Sequence, residues 1–585
     1  MVNDLEKSLR NSIIDGLYAQ SMSTLTAGLF LTGFVMALGG NSSHIGAASA
    51  VPLITNVFQL LASYLIEKTG MRKSICIRAC FIARGLWLAF AAMPLIYMWG
   101  GVSGENLIWT AVLFYFLINV ASAFAGITWL SWMKDLVPPE RRGKYFGLRS
   151  AATSSAGLIV GLGFGRFLDI MKGYGENYYL CGFFILFTTA FGFGMASTYY
   201  LKKVEEPERP ASADARSFTA FISMLSLPFK NRNFRKVMYI NILWTFFCQI
   251  GSPFFTLFML RDLKISFTMM AIYDMVNIVA NISMFSVWGR LTDHFGNKPI
   301  LLLTTFFAAA LPLIMVFANT SNSWLLIPLF QFSTGLVWSG ISLSTSNIFL
   351  KLAPSEHGSV YLSLNSALNG LVASLGPVLG GFMAYKMKDL KLMVDLGYSW
   401  LPAASGMRFT QTVVNLQFIF IISVILRFMA AYLFRYVEEP KSRPFKNLAR
   451  ILTHGNGFAS TMIFVPVYES VSLGLERIEK LEHGVIERVR HIRESVFKGG
   501  AGTPDAGTKP RKESAAEENK KKAPEISEAG KKEDAAGRGQ AKELDPIPEH
   551  GPAPEPERAA GREEDKENNK DDKNTSGNTG GEVKQ

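Results

Sequence analysis

Between residues 18 and 436 the chain alternates long uncharged apolar runs with short turn-rich and charged stretches. The runs fall at about 18–38, 44–66, 74–98, 107–131, 145–170, 178–201, 236–259, 268–289, 299–318, 324–350, 359–385 and 410–434. A helix rising 1.5 Å per residue needs about 20 such residues to cross about 30 Å of hydrocarbon. The pattern therefore predicts an all-α polytopic membrane protein with twelve transmembrane helices, and it excludes a soluble globular enzyme. An even count puts both ends on one side. Lys and Arg gather around 67–73, 133–144, 202–236 and 435–450 and are absent from 39–43, 99–106 and 318–323. The positive-inside rule then places both termini and the central loop in the cytoplasm, with the cytoplasmic membrane as the location. The stretch 386–409, with Lys386, Lys388, Lys391 and Arg408, is expected outside although it runs against that bias.

The remainder of the chain is a different polymer. Residues 499–585 contain no Phe, Trp or Tyr and carry 16 Lys+Arg against 20 Asp+Glu, which leaves 43 against 27 in residues 1–498. Such a stretch lacks the apolar surface needed to offset ordering entropy, so a disordered tail is expected. Residues 437–498 read as a cytoplasmic amphipathic segment, with Leu475, Ile478, Leu481, Val485, Ile486 and Val489 near helical spacing. The predicted organisation is a six-helix half over 1–201, a linker over 202–235, a second half over 236–436, and then these two segments. In the linker, Ser217–Met238 reads as a surface helix whose basic residues Lys230, Arg232, Arg235 and Lys236 suit anionic lipid headgroups. Cys76, Cys80, Cys181 and Cys248 have neither disulfide nor zinc spacing, and Met1–Leu17 is charged with no cleavage site after the first apolar run.

The two halves share an internal repeat. Val204-Glu205-Glu206-Pro207 follows the sixth run and Val437-Glu438-Glu439-Pro440 the twelfth. Pro138, Glu140 and Gly143 after the fourth run are matched by Pro354, Glu356 and Gly358 after the tenth. After the second run the chain reads Glu67-Lys68-Thr69-Gly70-Met71-Arg72-Lys73, and after the eighth it runs from Gly289 through Asp293, His294 and Gly296 to Asn297 and Lys298.

These loops resemble the signature of the major facilitator superfamily: a glycine, an aspartate four places on, a basic residue, a second glycine and two basic residues. The second copy keeps Gly289, Asp293, Gly296 and Lys298; the first keeps Gly70, Arg72 and Lys73 but has Ser63 and Glu67 for the leading glycine and the aspartate. The resemblance spans about residues 10–440. It implies two six-helix halves that rock about a central cavity, with the signature loops holding one access state. Glu67, Gly70, Arg72, Gly289, Asp293, Gly296 and Lys298 are assigned to gating on that basis, with Arg141 and Arg149 beside the matching basic loop.

The chain has no phosphate-binding loop and no metalloprotease helix, and its seven histidines form no cluster. No cofactor, metal or nucleic-acid partner is expected. Gly161, Gly163 and Gly165 lie inside an apolar run, where glycines serve helix packing. Polar groups inside the spans are the candidates for solute contact. Asp274, Asn277 and Asn281 share a face of the eighth span, and Gln331, Gly335, Trp338 and Ser342 a face of the tenth. The resemblance implies that spans one, four, seven and ten line the cavity, with parts of two, five, eight and eleven, which adds Asn119, Trp244, Gln249, Asn365 and Asn369. Amides match hydroxyls and rings stack on apolar faces, so a neutral polar solute is the expected cargo. Asp274 is the candidate for proton coupling. Arg84 and Arg427 fall midway along spans three and twelve, which the resemblance places at the periphery. The function read from this is a secondary transporter of a small organic solute, monomeric in the bilayer. A membrane sensor or scaffold and an exporter of lipids or amphiphiles are the rival readings.

Overall fold

The computed structural model describes residues 2–207, 222–354, 358–397 and 408–439. The start of the expected linker helix, the amphipathic segment, the charged tail and the Glu67 side chain lie outside the described residues. Spans two to twelve are Ser42–Ile66, Arg72–Met98, Gly104–Leu136, Pro139–Tyr174, Glu176–Lys202, Arg232–Arg261, Phe267–Phe295, Asn297–Phe317, Ser323–Leu352, Val360–Lys386 and Leu416–Tyr436, each long and apolar enough to cross a membrane.

Span one differs from the continuous run expected, because it is broken. One helix covers Val2–Thr26 and a second Gly28–Ala37. The join is sharp: Ala27 is extended at φ −132° and ψ 175°, and Gly28 sits at φ +51°, a left-handed conformation that costs glycine least.

Local chemistry sets the other ends. Asn41 caps span two, its side-chain oxygen accepting the N–H groups of Ser43 and His44 at 2.9 and 3.2 Å, while His44 Nδ1 accepts the Asn41 N–H. Gly70, at φ +67°, closes that span by donating its N–H to the Ile66 carbonyl. Ser103 and Ser266 cap spans four and eight.

Packing repeats in the two halves. Span one packs on five and six as seven packs on eleven and twelve, and span three packs on four and six as nine packs on ten and twelve. The halves meet where span two lies on eleven and span five on eight, with the second helix of span one against seven. At Gly46 the first of these contacts is so close that a methyl group would stand 2.3 Å from the Pro377 carbonyl oxygen. Phe34, Trp87, Phe90, Phe183 and Phe187 form an aromatic core in the first half, with ring centroids 4.7 to 6.0 Å apart among the contacting pairs.

Residues near 2–16, 67–72, 137–141 and 204–207 gather at one end, where Ser8 Oγ accepts the Glu205 N–H at 3.2 Å and Trp132 Nε1 donates to the Glu205 carbonyl at 2.8 Å. This is the termini end; the other is the far end. An antiparallel two-stranded hairpin, β1 (Lys391–Gly397) and β2 (Arg408–Val414), precedes span twelve at the far end. Among the described residues it is the one sheet in an otherwise helical fold, and it delays the start of span twelve from about 410 to Leu416.

Candidate functional site

The break in span one sits where four cavities of 310 to 420 Å³ converge, Ala27 lining three of them and Gly28 three. One lies toward spans three and four, beside Arg84, Trp87, Tyr115 and Asn119. A second lies between spans five and eight, beside Gly157, Gly161 and Asp274. A third runs between spans two and seven, beside Ser49, Pro52, Gln249 and Pro253. The fourth is enclosed by spans seven, eight, ten and twelve and carries Asp274, Gln331, Trp338 and Arg427. A helix broken at this point exposes backbone polar groups that a continuous helix would pair internally, which is tolerated in a membrane only beside a cavity. No side chain caps the start of the second helix.

The expected binding residues separate into four sets. Asn119, Gln249, Asp274, Gln331 and Trp338 line the cavities. Asn277 and Asn281 are turned to span ten, donating to the Gln331 and Gly335 carbonyls at 2.9 and 3.4 Å. Trp288 adds a bond to the Leu336 carbonyl at 2.7 Å, and Gln331 Nε2 donates to Asp274 at 3.0 Å. Together these hold spans eight and ten in register, and Gly335 allows it: a methyl there would stand 2.3 Å from the Asn277 carbonyl oxygen. Trp244 is buried in the core of the second half against Phe434. Asn365 and Asn369, on span eleven, each keep a buried side-chain oxygen without a donor among the described residues.

The repeated loops form a staple in each half. In the first, the fully buried Arg72 pairs with Asp135 and stands 3.5 Å from Glu206, and it donates to the Ser131 and Pro207 carbonyls at 3.2 and 2.9 Å. Glu206 also accepts the Lys73 N–H at 3.0 Å. In the second, Glu439 accepts the Lys298 N–H at 2.7 Å, the Asn297 side chain at 2.7 Å and Lys351 Nζ at 2.9 Å. The shared Val-Glu-Glu motif is thereby explained: its second glutamate caps the start of span three in one half and of span nine in the other. Burial alone would raise the Glu439 carboxyl, but the bonds from Lys351, Asn297 and the Lys298 N–H outweigh it and hold the group below its ordinary value.

Other gating candidates are dispersed. Asp293 is exposed beside a 640 Å³ recess at the termini end, and Arg141 is exposed. Gly296 takes φ +91° at the turn into span nine, whereas a methyl on Gly289 would meet nothing within 4 Å. The close helix approach expected at Gly289 is absent. Arg149 stacks 4.3 Å over the Trp129 ring, stands 3.9 Å from Asp15 and donates to the Ser12 carbonyl at 3.3 Å, so it ties span five to span one within the first half.

A family profile described as Major Facilitator Superfamily matches residues 16–377 and 245–486. The chain belongs to the Major Facilitator Superfamily. It is 28% identical over 364 residues to Multidrug resistance protein 2 of Bacillus subtilis (strain 168), covering 60% of this chain and 81% of that one. A shorter match, 29% over 123 residues, covers 20% of the chain and 21% of Solute carrier family 22 member 6-A of Xenopus laevis. Similar solved folds include the nucleoside transporter NupG (TM-score 0.51, 12% identity, 74% of this chain and 99% of that one) and the inward open xylose transporter XylE from E. coli (TM-score 0.52, 13% identity, 76% and 99%).

Within this superfamily fold, three features escaped sequence reasoning. Asp169, on span five, accepts the N–H groups of Phe267 and Thr268 at 2.9 Å each and the Thr268 hydroxyl at 2.6 Å, so a carboxylate of one half caps a helix of the other at the far end. Asp15, counted with the charged N-terminus, is buried against Ser197. Arg84 and Arg427 reach cavities from spans three and twelve, which corrects their peripheral placing. A long guanidinium side chain carries its charge well away from its own helix axis.

Proposed function

We propose that this superfamily transporter moves a small organic solute by alternating access through the cavities at the Ala27–Gly28 break. The observation that carries the reading is the break itself, opening onto cavities walled by both halves. The solute occupies this centre, and the halves open by turns at the far end and the termini end. Asn119, Gln249, Gln331 and Trp338 make its polar and ring contacts, and Asp274 carries a coupling proton. The Lys and Arg bias assigns the termini end to the cytoplasm of a cell whose cytoplasmic membrane holds the protein as a monomer. Arg141 and Asp293, exposed at the termini end, govern its gate together with Glu67, Gly70, Gly289 and Gly296, while Arg72, Arg149 and Lys298 hold their own halves together.

Export of amphiphilic compounds is the second reading. It is favoured by the likeness to a protein named for multidrug resistance and by Phe255, Met259, Met270 and Phe330 on the cavity wall. The test is an untargeted comparison of solute levels in cells with and without the protein, followed by counterflow of each hit in liposomes. Asp274→Asn should abolish accumulation against a gradient while leaving exchange. Accumulation unchanged in that variant would remove the proton role, and no solute difference at all would remove transport.

A further inference from the structure

Arg427 is 3% exposed and lies midway along span twelve. Its Nη2 donates to the Cys248 carbonyl at 2.9 Å and to the Ser252 hydroxyl at 3.1 Å, and its guanidinium stands 5.8 Å from the Phe255 ring centre. Its Nε is buried without an acceptor, and no carboxylate pairs with it among the described residues. A buried cation without a counter-ion is costly, because neutral hydrogen bonds replace its lost hydration only in part. The cost has an outlet. Arg427 lines the same 310 Å³ cavity as Gly28 and Leu29, the uncapped start of the second helix of span one, where the helix dipole is positive.

We propose that Arg427 is the anion-binding group of this cavity and that the transported solute is an organic anion, a carboxylate or sulfonate on an apolar body. The inference rests on the transport reading above and narrows its cargo from a polar solute to a charged one. The guanidinium offers a fixed positive charge and the N–H groups that Cys248 and Ser252 leave uncommitted, and those two bonds hold it in place. Phe255, Phe330, Met259 and Trp338 supply the surface for the apolar body. Asp274 comes from a different wall, spans eight and ten, and is held by Gln331. Two of the amides first expected to select the cargo are committed elsewhere: Asn277 and Asn281 bond to the backbone of span ten.

The experiment uses the full chain in liposomes and probes of one shape: phenylacetate and benzenesulfonate against phenylacetamide and phenethylammonium. Binding is read from tryptophan fluorescence and movement from counterflow. The two anions should bind about tenfold or more tightly than the amide, a difference of at least about 1.4 kcal/mol. Arg427→Gln should erase that preference, and Arg427→Lys should keep part of it because charge remains but the paired bonds to Cys248 and Ser252 that position it are lost. Should Arg427→Gln fail to fold, the preference of the unaltered chain still decides, and Ser252→Ala, which frees one side of the guanidinium, should lower anion affinity severalfold. Equal binding of amide and anion, or no anion binding at millimolar concentration, would overturn the assignment. Counterflow of the amide or ammonium without anion preference would overturn it while leaving transport standing. No movement of any probe or of any solute found by the untargeted comparison would overturn both.

Discussion

The two ends of the molecule are held by different kinds of contact. At the far end, besides the Gln417 bonds to Val316 and Ala318 inside the second half, polar bonds cross between the halves: Asp169 caps span eight, and Ser43 Oγ donates to the Gly381 carbonyl at 3.4 Å. At the termini end the staples of Arg72 and Glu439 each stay within one half. A contact inside a half survives a rocking motion, while a contact between halves must break and re-form. On the alternating-access proposal, the staples serve integrity and the far-end cap is the bond whose strength biases the two access states.

The largest effect should come from breaking a staple. Arg72→Gln removes a fully buried guanidinium from beside Asp135 and Glu206, for an expected loss of about 3–5 kcal/mol. Thermal unfolding in detergent checks it, and an unchanged midpoint would make Arg72 a surface contact in energetic terms.

Next is the cap between halves. Asp169→Asn keeps the shape and one acceptor but loses the charge that faces two N–H groups and a hydroxyl. A coupling loss of about 1–3 kcal/mol would shift the ratio of states roughly 5- to 150-fold toward an open far end. Spin-label distances between the far ends of spans five and eight measure that ratio, while thermal stability should change little.

A smaller effect is expected from acid. Glu439 and Glu438 are both held below their ordinary value of 4.5, Glu438 chiefly by its hydrogen bond from Lys236. A carboxyl whose value is lowered by folding adds stability that is complete above its unfolded value and disappears as pH falls through the folded one. Second-half stability should therefore decline below about pH 4.5, and Glu439→Gln should flatten that decline. Salt should weaken the exposed Lys236–Glu438 pair, 2.5 Å apart, more than the buried Glu439 bonds.

The smallest effect on stability belongs to Asp293→Asn, within about 0.5 kcal/mol, since Asp293 is exposed in this state. Its transport rate should nonetheless fall if the carboxylate gains a partner when the termini end closes. A normal rate would remove it from the gate.

The fold was largely legible because hydropathy reports burial in lipid directly, and spans two to eleven lie close to the runs read from sequence. The repeated Val-Glu-Glu motif marked equivalent places, and its capping role became clear only when spans three and nine were seen to start beside it. The break at Ala27–Gly28 left no trace in hydropathy, because both residues suit an apolar run and the departure lies in backbone angles. Asp169 was hidden for another reason: its partners are backbone N–H groups about a hundred residues away, which no side-chain pattern encodes. Asn277 and Asn281 were read on the correct shared face, but that face turns to span ten.

The most direct test closes the far end covalently. The Thr268 hydroxyl lies 2.6 Å from the Asp169 carboxylate, so the pair Asp169→Cys and Thr268→Cys, in a chain whose four native cysteines are replaced, brings two thiols together across the halves. Oxidation should stop transport of a counterflow substrate, and dithiothreitol should restore it, because the far end can no longer open. Full cross-linking with an unchanged transport rate would contradict alternating access through the centre of this molecule.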